Sequence, residues 1–240
     1  MSILKAVKIE LKKEASAEDA AVLRRFFKTG KGQYGQGDIF IGARVPASRK
    51  IAKKYFKEIT LQETVKLLSS KVHEHRLCAL IILRFKFECA KNKTERKQIA
   101  KLYLDNTRYV NNWDLVDLSA QYILGQYFYD NGDYRKLRAL ANSNFLWEER
   151  IAIISTFYFI RRNDFKPTLE LCRKFLSHKH DLIHKACGWM LREIGKRDVK
   201  TLISFLDNYA AKTPRVMLRY SVEKLPKSLK RKYMSVVKTA

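Results

Sequence analysis

Apolar residues recur at helical spacing along almost the whole chain, and no run alternates with the period of two that a half-buried strand needs. The prolines sharpen this pattern. Pro46, Pro167, Pro214 and Pro226 each stand where a helix could begin, and none falls inside an apolar-periodic run. At the first helical turn the missing proline N–H costs nothing. Thr60-Leu61-Gln62-Glu63 reads as a capping box, and Ser16 with Asp19 as a weaker one. These signals predict helices starting near residues 17, 46, 60, 74, 95, 113, 134, 147, 167, 181, 198, 214 and 226. Taken in alternate pairs from residue 60 to residue 214, the starts recur at about 31–39 residues, the range of helix-pair repeats. The pairs differ in sequence, so the repeat is degenerate. The expected fold is all-α: a solenoid of degenerate HEAT-like helix pairs with a concave basic face. No Pro/Gly/Ser linker divides the chain, which predicts a single repeat domain over residues 1–240.

Composition bounds the function. A hydrophobic fraction of 46% excludes a disordered basic tail, which lacks the apolar surface to offset ordering entropy. Nine glycines and four prolines are too few for collagen-like or turn-dense β architecture. Lys+Arg number 49 against 24 Asp+Glu, a net charge of +25. Charge of that size speaks about partners: nucleic acid first, an anionic membrane surface second. The apolar stretch Cys78 to Leu83 is far too short to span a bilayer. The opening residues carry Lys5 and no apolar h-region, so no signal peptide is expected. Cys78, Cys89, Cys172 and Cys187 show no CxxC spacing and lie in apolar helical stretches. Free, mostly buried thiols of a cytosolic protein are expected.

The segment from Lys212 to Ala240 carries nine basic residues against Glu223 alone. Arg215, Arg219, Lys224, Lys227, Lys230, Arg231 and Lys232 would spread over two helices, and a phosphate-facing role is the expectation. An interfacial membrane helix would need a wider apolar face. Between Gly30 and Gly42, Gly30, Gly32 and Gly35 match G-x-G-x-x-G. A dinucleotide site needs a strand before this motif; here a helix, Ala20 to Lys28, precedes it, so the expectation is a loop that approaches a backbone closely. His178, His180 and His184 form H-x-H-x3-H without a cysteine partner or an H-E-x-x-H order. They read as a cluster at a loop and helix start, and no metal is expected. His73 and His75 read as a turn leading into a helix.

Asn111-Asn112-Trp113-Asp114-Leu115-Val116-Asp117 is the most informative stretch. Trp113 and Asp117 are four apart and share one helical face. Asp114 falls at the helix start, where a carboxylate favours the macrodipole. Spacing alone also allows a plain alternative, in which Asn112 and Asp114 cap, Trp113 packs and Asp117 is solvated.

This stretch resembles the central motif of the AlkD-type DNA alkylation repair glycosylases, a HEAT-repeat family. Gly42-Ala43-Arg44-Val45-Pro46, His73-Glu74-His75-Arg76, Phe145-Leu146-Trp147-Glu148-Glu149-Arg150 and Gly188-Trp189-Met190-Leu191-Arg192-Glu193 are similar too. The resemblance runs from about residue 17 to residue 225. It implies that Asp117 is the catalytic carboxylate, with Trp113 and Trp189 as its aromatic partners and Arg150 as a phosphate contact. Arg192, Arg215, Arg219, Lys230 and Arg231 are further expected DNA contacts. The implied activity is monofunctional excision of positively charged N3- or N7-alkylpurines from duplex DNA in base excision repair. It involves no base extrusion, no cofactor and no metal. A monomeric, cytoplasmic, nucleoid-associated bacterial protein is expected. The alternative is a non-catalytic DNA- or RNA-binding scaffold on the same fold, which would have no use for Asp117.

Overall fold

A computed structural model describes residues 2–236. Among them the chain is helical, with no strand beyond one isolated bridge between Ile39 and Val72. Contacts divide the chain into two compact units, Met1–Leu124 and Gly125–Ala240.

The first unit holds α1 (Ile3–Lys13), α2 (Ala17–Phe26), α3 (Val45–Tyr55), α4 (Leu61–Leu68), α5 (His73–Glu88), α6 (Lys93–Asp105) and α7 (Trp113–Ala120). α5 is its axis. Leu77, Cys78, Ala79, Leu80, Ile81, Ile82 and Leu83 are all buried, because α3, α4, α6 and α7 pack around the helix. A helix that is apolar all round belongs in a core. Each such leucine or isoleucine contributes about 1.5–3 kcal/mol by burial.

The second unit holds α8 (Gln126–Asn131), α9 (Tyr134–Ala141), α10 (Leu146–Ile160), α11 (Lys166–Lys174), α12 (Asp181–Gly195), α13 (Val199–Tyr209), α14 (Arg215–Ser221) and α15 (Lys227–Met234). Alternate helices touch, α10 on α12 and α12 on α14, and α9, α11 and α13 flank them. That is the packing of stacked helix pairs. α10 repeats the logic of α5, with Ile151, Ala152, Ile153 and Ile154 buried.

The expected boundaries agree closely with these helices, because their causes are local. Thr60 and Glu63 form both bonds of the capping box at the start of α4. Ser16 caps α2 through the Asp19 N–H, but the Asp19 carboxylate pairs with Arg44 and does not close a box. Pro46 and Pro167 lie in the first turns of α3 and α11, and Pro214 and Pro226 at the N-caps of α14 and α15. Helix α1 was not among the expected starts. Its signal is the Ser2 cap with Val7 and Leu11 buried four residues apart. The four cysteines are free; Cys78, Cys172 and Cys187 are buried and Cys89 is exposed. The basic C-terminal segment does form two helices, α14 and α15, while its last residues, 237–240, lie outside the described ones. No described helix is long and apolar enough to cross a membrane.

Candidate active site

The site of the first unit is assembled at the N-termini of α5 and α7 and along the loop between α2 and α3. That loop contains the glycine cluster, and neither a strand nor a new helix flanks its G-x-G-x-x-G match. It is stitched to α5 by its backbone. Ile39 N–H donates to the Lys71 carbonyl at 3.2 Å and His73 N–H to the Ile39 carbonyl at 2.8 Å. The expected close approach occurs at Gly42. Its φ is +85°, and a Cβ there would lie 2.0 Å from the Ser16 carbonyl oxygen. Only glycine meets both demands.

Asn112, not Asp114, caps α7: its Oδ1 accepts the Trp113 N–H at 2.8 Å. The Asp114 carboxylate turns away from the helix terminus. Its Oδ2 lies 2.8 Å from Nε2 of His73, while its Oδ1 is buried without a hydrogen-bond partner. His73 is correspondingly no turn residue. It is the first residue of α5, is 2% exposed, and its Nδ1 lies 3.1 Å from Oδ2 of Asp38. Asp38 is held in turn by Arg76 at 2.8 Å. Burial by itself lowers the His73 pKa, but the Asp114 charge and hydrogen bond, with that of Asp38, more than offset it and push it up to about 9. Asp38 stays below the usual carboxylate range: burial raises it, and His73 and Arg76 together lower it further.

Aromatic rings close over this buried ion group. Phe40 stacks on His73 with centroids 4.5 Å apart, and Phe27 lies 5.0 Å from the same ring. Trp113 stacks on Phe27 at 5.3 Å, and Phe26 meets the indole edge-on at 5.8 Å. In front of them is a cavity of about 670 Å³, lined by these rings, by Val22, Leu77, Val45 and Pro46, and by Asp114 and Asp117. Phe26, Val22 and Val45 at its mouth are exposed. Trp113 and Asp117 therefore do share one face of α7, and that face lines the cavity. Asp117 is half-buried, and its backbone carbonyl accepts from Gln121 at 3.0 Å, at the π-helical turn Gln121–Gly125.

The remaining expected site residues belong to the second unit. Trp189, on α12, meets Phe157 edge-on at 5.7 Å and donates Nε1 to Glu193 at 3.2 Å. Arg150 is 5% exposed and donates to the Leu182 carbonyl, tying α10 to α12. Arg192 pairs with Glu223 and Glu193. Arg215, Arg219, Lys230 and Arg231 are exposed, and Arg215 donates to the Met234 carbonyl at 2.8 Å. His178 accepts the His180 N–H through Nδ1 and faces Glu149 through Nε2 at 3.0 Å. His180 caps α12. No three His, Cys, Asp or Glu side chains among the described residues are grouped to hold a metal.

Sequence reasoning missed His73, Asp38, Glu74 and the Phe26/Phe27/Phe40 wall. Their signal was the run His73-Glu74-His75-Arg76 opening a helix whose middle, Leu77 to Leu83, is apolar.

Stacked helix pairs, with a tryptophan and a carboxylate one turn apart on the wall of an aromatic cavity, define a helical-repeat protein. The chain belongs to the DNA alkylation repair enzyme family, whose pattern it matches over residues 7–225. It is also similar to a solved structure from Enterococcus faecalis described as a predicted DNA alkylation repair enzyme. The TM-score is 0.70 at 14% identity, covering 89% of this chain and 98% of that one. At that identity the likeness shows the fold. Among curated proteins, no sequence matches significantly.

Proposed function

We propose that the protein is a monofunctional DNA glycosylase that excises positively charged N3- and N7-alkylpurines from duplex DNA. The observation that carries this reading is Asp117 beside Trp113 on the wall of one cavity. A cationic alkylpurine is already a good leaving group, and breaking its N-glycosidic bond builds oxocarbenium character on the deoxyribose. A fixed carboxylate opposes that charge and positions a water. Indole faces attract cationic and polarised C–H groups, with contacts worth about 0.5–2 kcal/mol each. Trp113, on the cavity wall, takes that part.

Phosphates are held by Arg215, Arg219, Lys230, Arg231 and Arg192. Arg150 joins them by exchanging the Leu182 carbonyl for a phosphate oxygen, the stronger, charge-assisted acceptor. The net charge of +25 supports duplex DNA as the partner of a monomeric, cytoplasmic protein working at the nucleoid. No lysine is assigned as a Schiff-base nucleophile, so the product is an intact abasic strand.

The test is incubation with methylated duplex DNA. Release of free alkylpurine with abasic sites, and without strand cleavage before a base step, is the expected result. Tight DNA binding with no base release would make the protein a non-catalytic scaffold.

A further inference from the structure

The buried histidine of the first unit has an arrangement that a packing role does not require. Both ring nitrogens of His73 face carboxylate oxygens, Asp114 at 2.8 Å and Asp38 at 3.1 Å. A neutral imidazole donates through one nitrogen only. It would aim its other lone pair at a buried carboxylate. The imidazolium donates to both carboxylates. One face of the ring is stacked on Phe40 at 4.5 Å, and Phe27 lies tilted at 5.0 Å beside both; an aromatic face favours a cation. Arg76, on α5, is packed against both partners: its Nη2 holds Asp38 at 2.8 Å and lies 3.5 Å from Nδ1 of His73, where its charge opposes protonation of the ring.

Two routes lead from this ring to Trp113. One is the stack from His73 through Phe27 to the indole. The other is the Asp114 bond, one residue along the first turn of α7. The same turn sets the direction of α7 and so the place of Asp117.

We propose that His73 is the positioning residue of the cavity: as an imidazolium it clamps Asp114 and Asp38 together and thereby fixes Trp113 and the start of α7. One proton holds the site in its working geometry. The kinetic part of this claim rests on the glycosylase reading; the structural part does not. As pH rises through about 9 the clamp loses its charge. Below that pH it is intact.

The experiment has two arms on the full chain. In the first, the ring resonances of His73 and the indole N–H of Trp113 are followed by NMR from pH 6 to 10.5, in the wild type and in Asp114→Asn. His73 is expected to titrate near 9, with the Trp113 signal moving at the same midpoint. In Asp114→Asn both midpoints fall together by about one pH unit or more, since a neighbouring opposite charge is worth that much. In the second arm, single-turnover release of methylated purine at saturating protein is measured over the same range. The rate is expected to fall about tenfold per pH unit above the midpoint, and Asp114→Asn is expected to move that fall to lower pH. Lysine titration, which also weakens DNA binding at high pH, would not move with Asp114.

A His73 midpoint near 6.5, or a Trp113 signal that ignores it, overturns the proposal. So does an alkaline limb that stays in place in Asp114→Asn. Absence of base release at every pH would instead sink the glycosylase reading, leaving the clamp to stand or fall on the NMR arm.

Discussion

Gly42 N–H donates to Glu74 Oε1 at 2.8 Å, and Ile41 N–H approaches both oxygens of the same carboxylate at 3.1 Å. Glu74 is 1% exposed. A buried carboxylate in the first turn of α5 thus seats the end of the glycine loop, and the loop carries Phe40 onto His73. The wall of the cavity hangs on this contact.

Removing it has a measurable consequence. Glu74→Ala leaves two backbone N–H groups short of an acceptor in the core and is expected to cost about 2–5 kcal/mol. Glu74→Gln keeps a carbonyl acceptor and should lose clearly less. Urea unfolding of both variants checks this; equal losses would mean that packing volume, not hydrogen bonding, is what Glu74 supplies.

Gly42→Ala and Gly37→Ala separate backbone conformation from close approach. Both glycines have positive φ, +85° and +89°, and a new Cβ at Gly37 meets nothing within 4 Å. Gly37→Ala is expected to cost about 1–2 kcal/mol from the left-handed conformation alone. Gly42→Ala adds the collision with the Ser16 carbonyl and should be the more destabilised in the same urea titration. The reverse order would contradict the seating of the loop on α2.

The catalytic assignment predicts that Asp117→Asn keeps the fold while base release falls on the order of 10²–10³, the usual cost of losing one preorganised electrostatic group. Asn keeps the shape of Asp117 on the cavity wall, so circular dichroism should be unchanged. DNA affinity should hold or rise, since a negative charge is removed. Asp114→Asn is now expected to act differently from a simple helix-terminus change: its effect should grow with pH. Retained release in Asp117→Asn would move the catalytic role elsewhere.

Stability should also depend on His73. Its folded pKa is raised above its unfolded value of about 6.5. The folded state therefore binds the proton more tightly. The contribution is fully present below pH 6.5 and is lost as pH rises through about 9. Urea midpoints of the wild type should fall between pH 7 and 10 more steeply than those of His73→Gln. Parallel slopes in the two proteins would argue against a charged histidine.

DNA binding should be strongly salt-dependent, with log K falling against log salt by about 0.9 per neutralised phosphate. Replacing Lys230, Arg231 and Lys232 by Ala should weaken binding uniformly across sequences, because phosphate contacts carry no base information. Lys230 and Arg231 are expected to dominate, since Lys232 is paired with Asp207 at 3.0 Å. Fluorescence anisotropy at several salt concentrations, with single and triple variants, measures both; an unchanged slope in the triple variant would place the phosphate contacts on other residues.

Helix boundaries were legible in the sequence because their causes lie within four residues of one another. Thr60 and Glu63 cap α4 by themselves, and Pro167 starts α11 without help from any distant group. The shared face of Trp113 and Asp117 follows from helical geometry alone. The tertiary structure decided what that face looks onto and which charges are already spent. Asp38 and Asp114 meet His73 across 35 and 41 residues of chain, and no local pattern marks such a pairing. Asp114, a plain first-turn carboxylate by sequence, is committed to the buried ring of His73. Arg150, expected from the resemblance to meet a phosphate, is buried against a carbonyl of α12. Sequence sets short-range propensity, since caps and periodicity act between neighbours. Protonation and partnership are set by burial, and burial exists only once distant helices have packed.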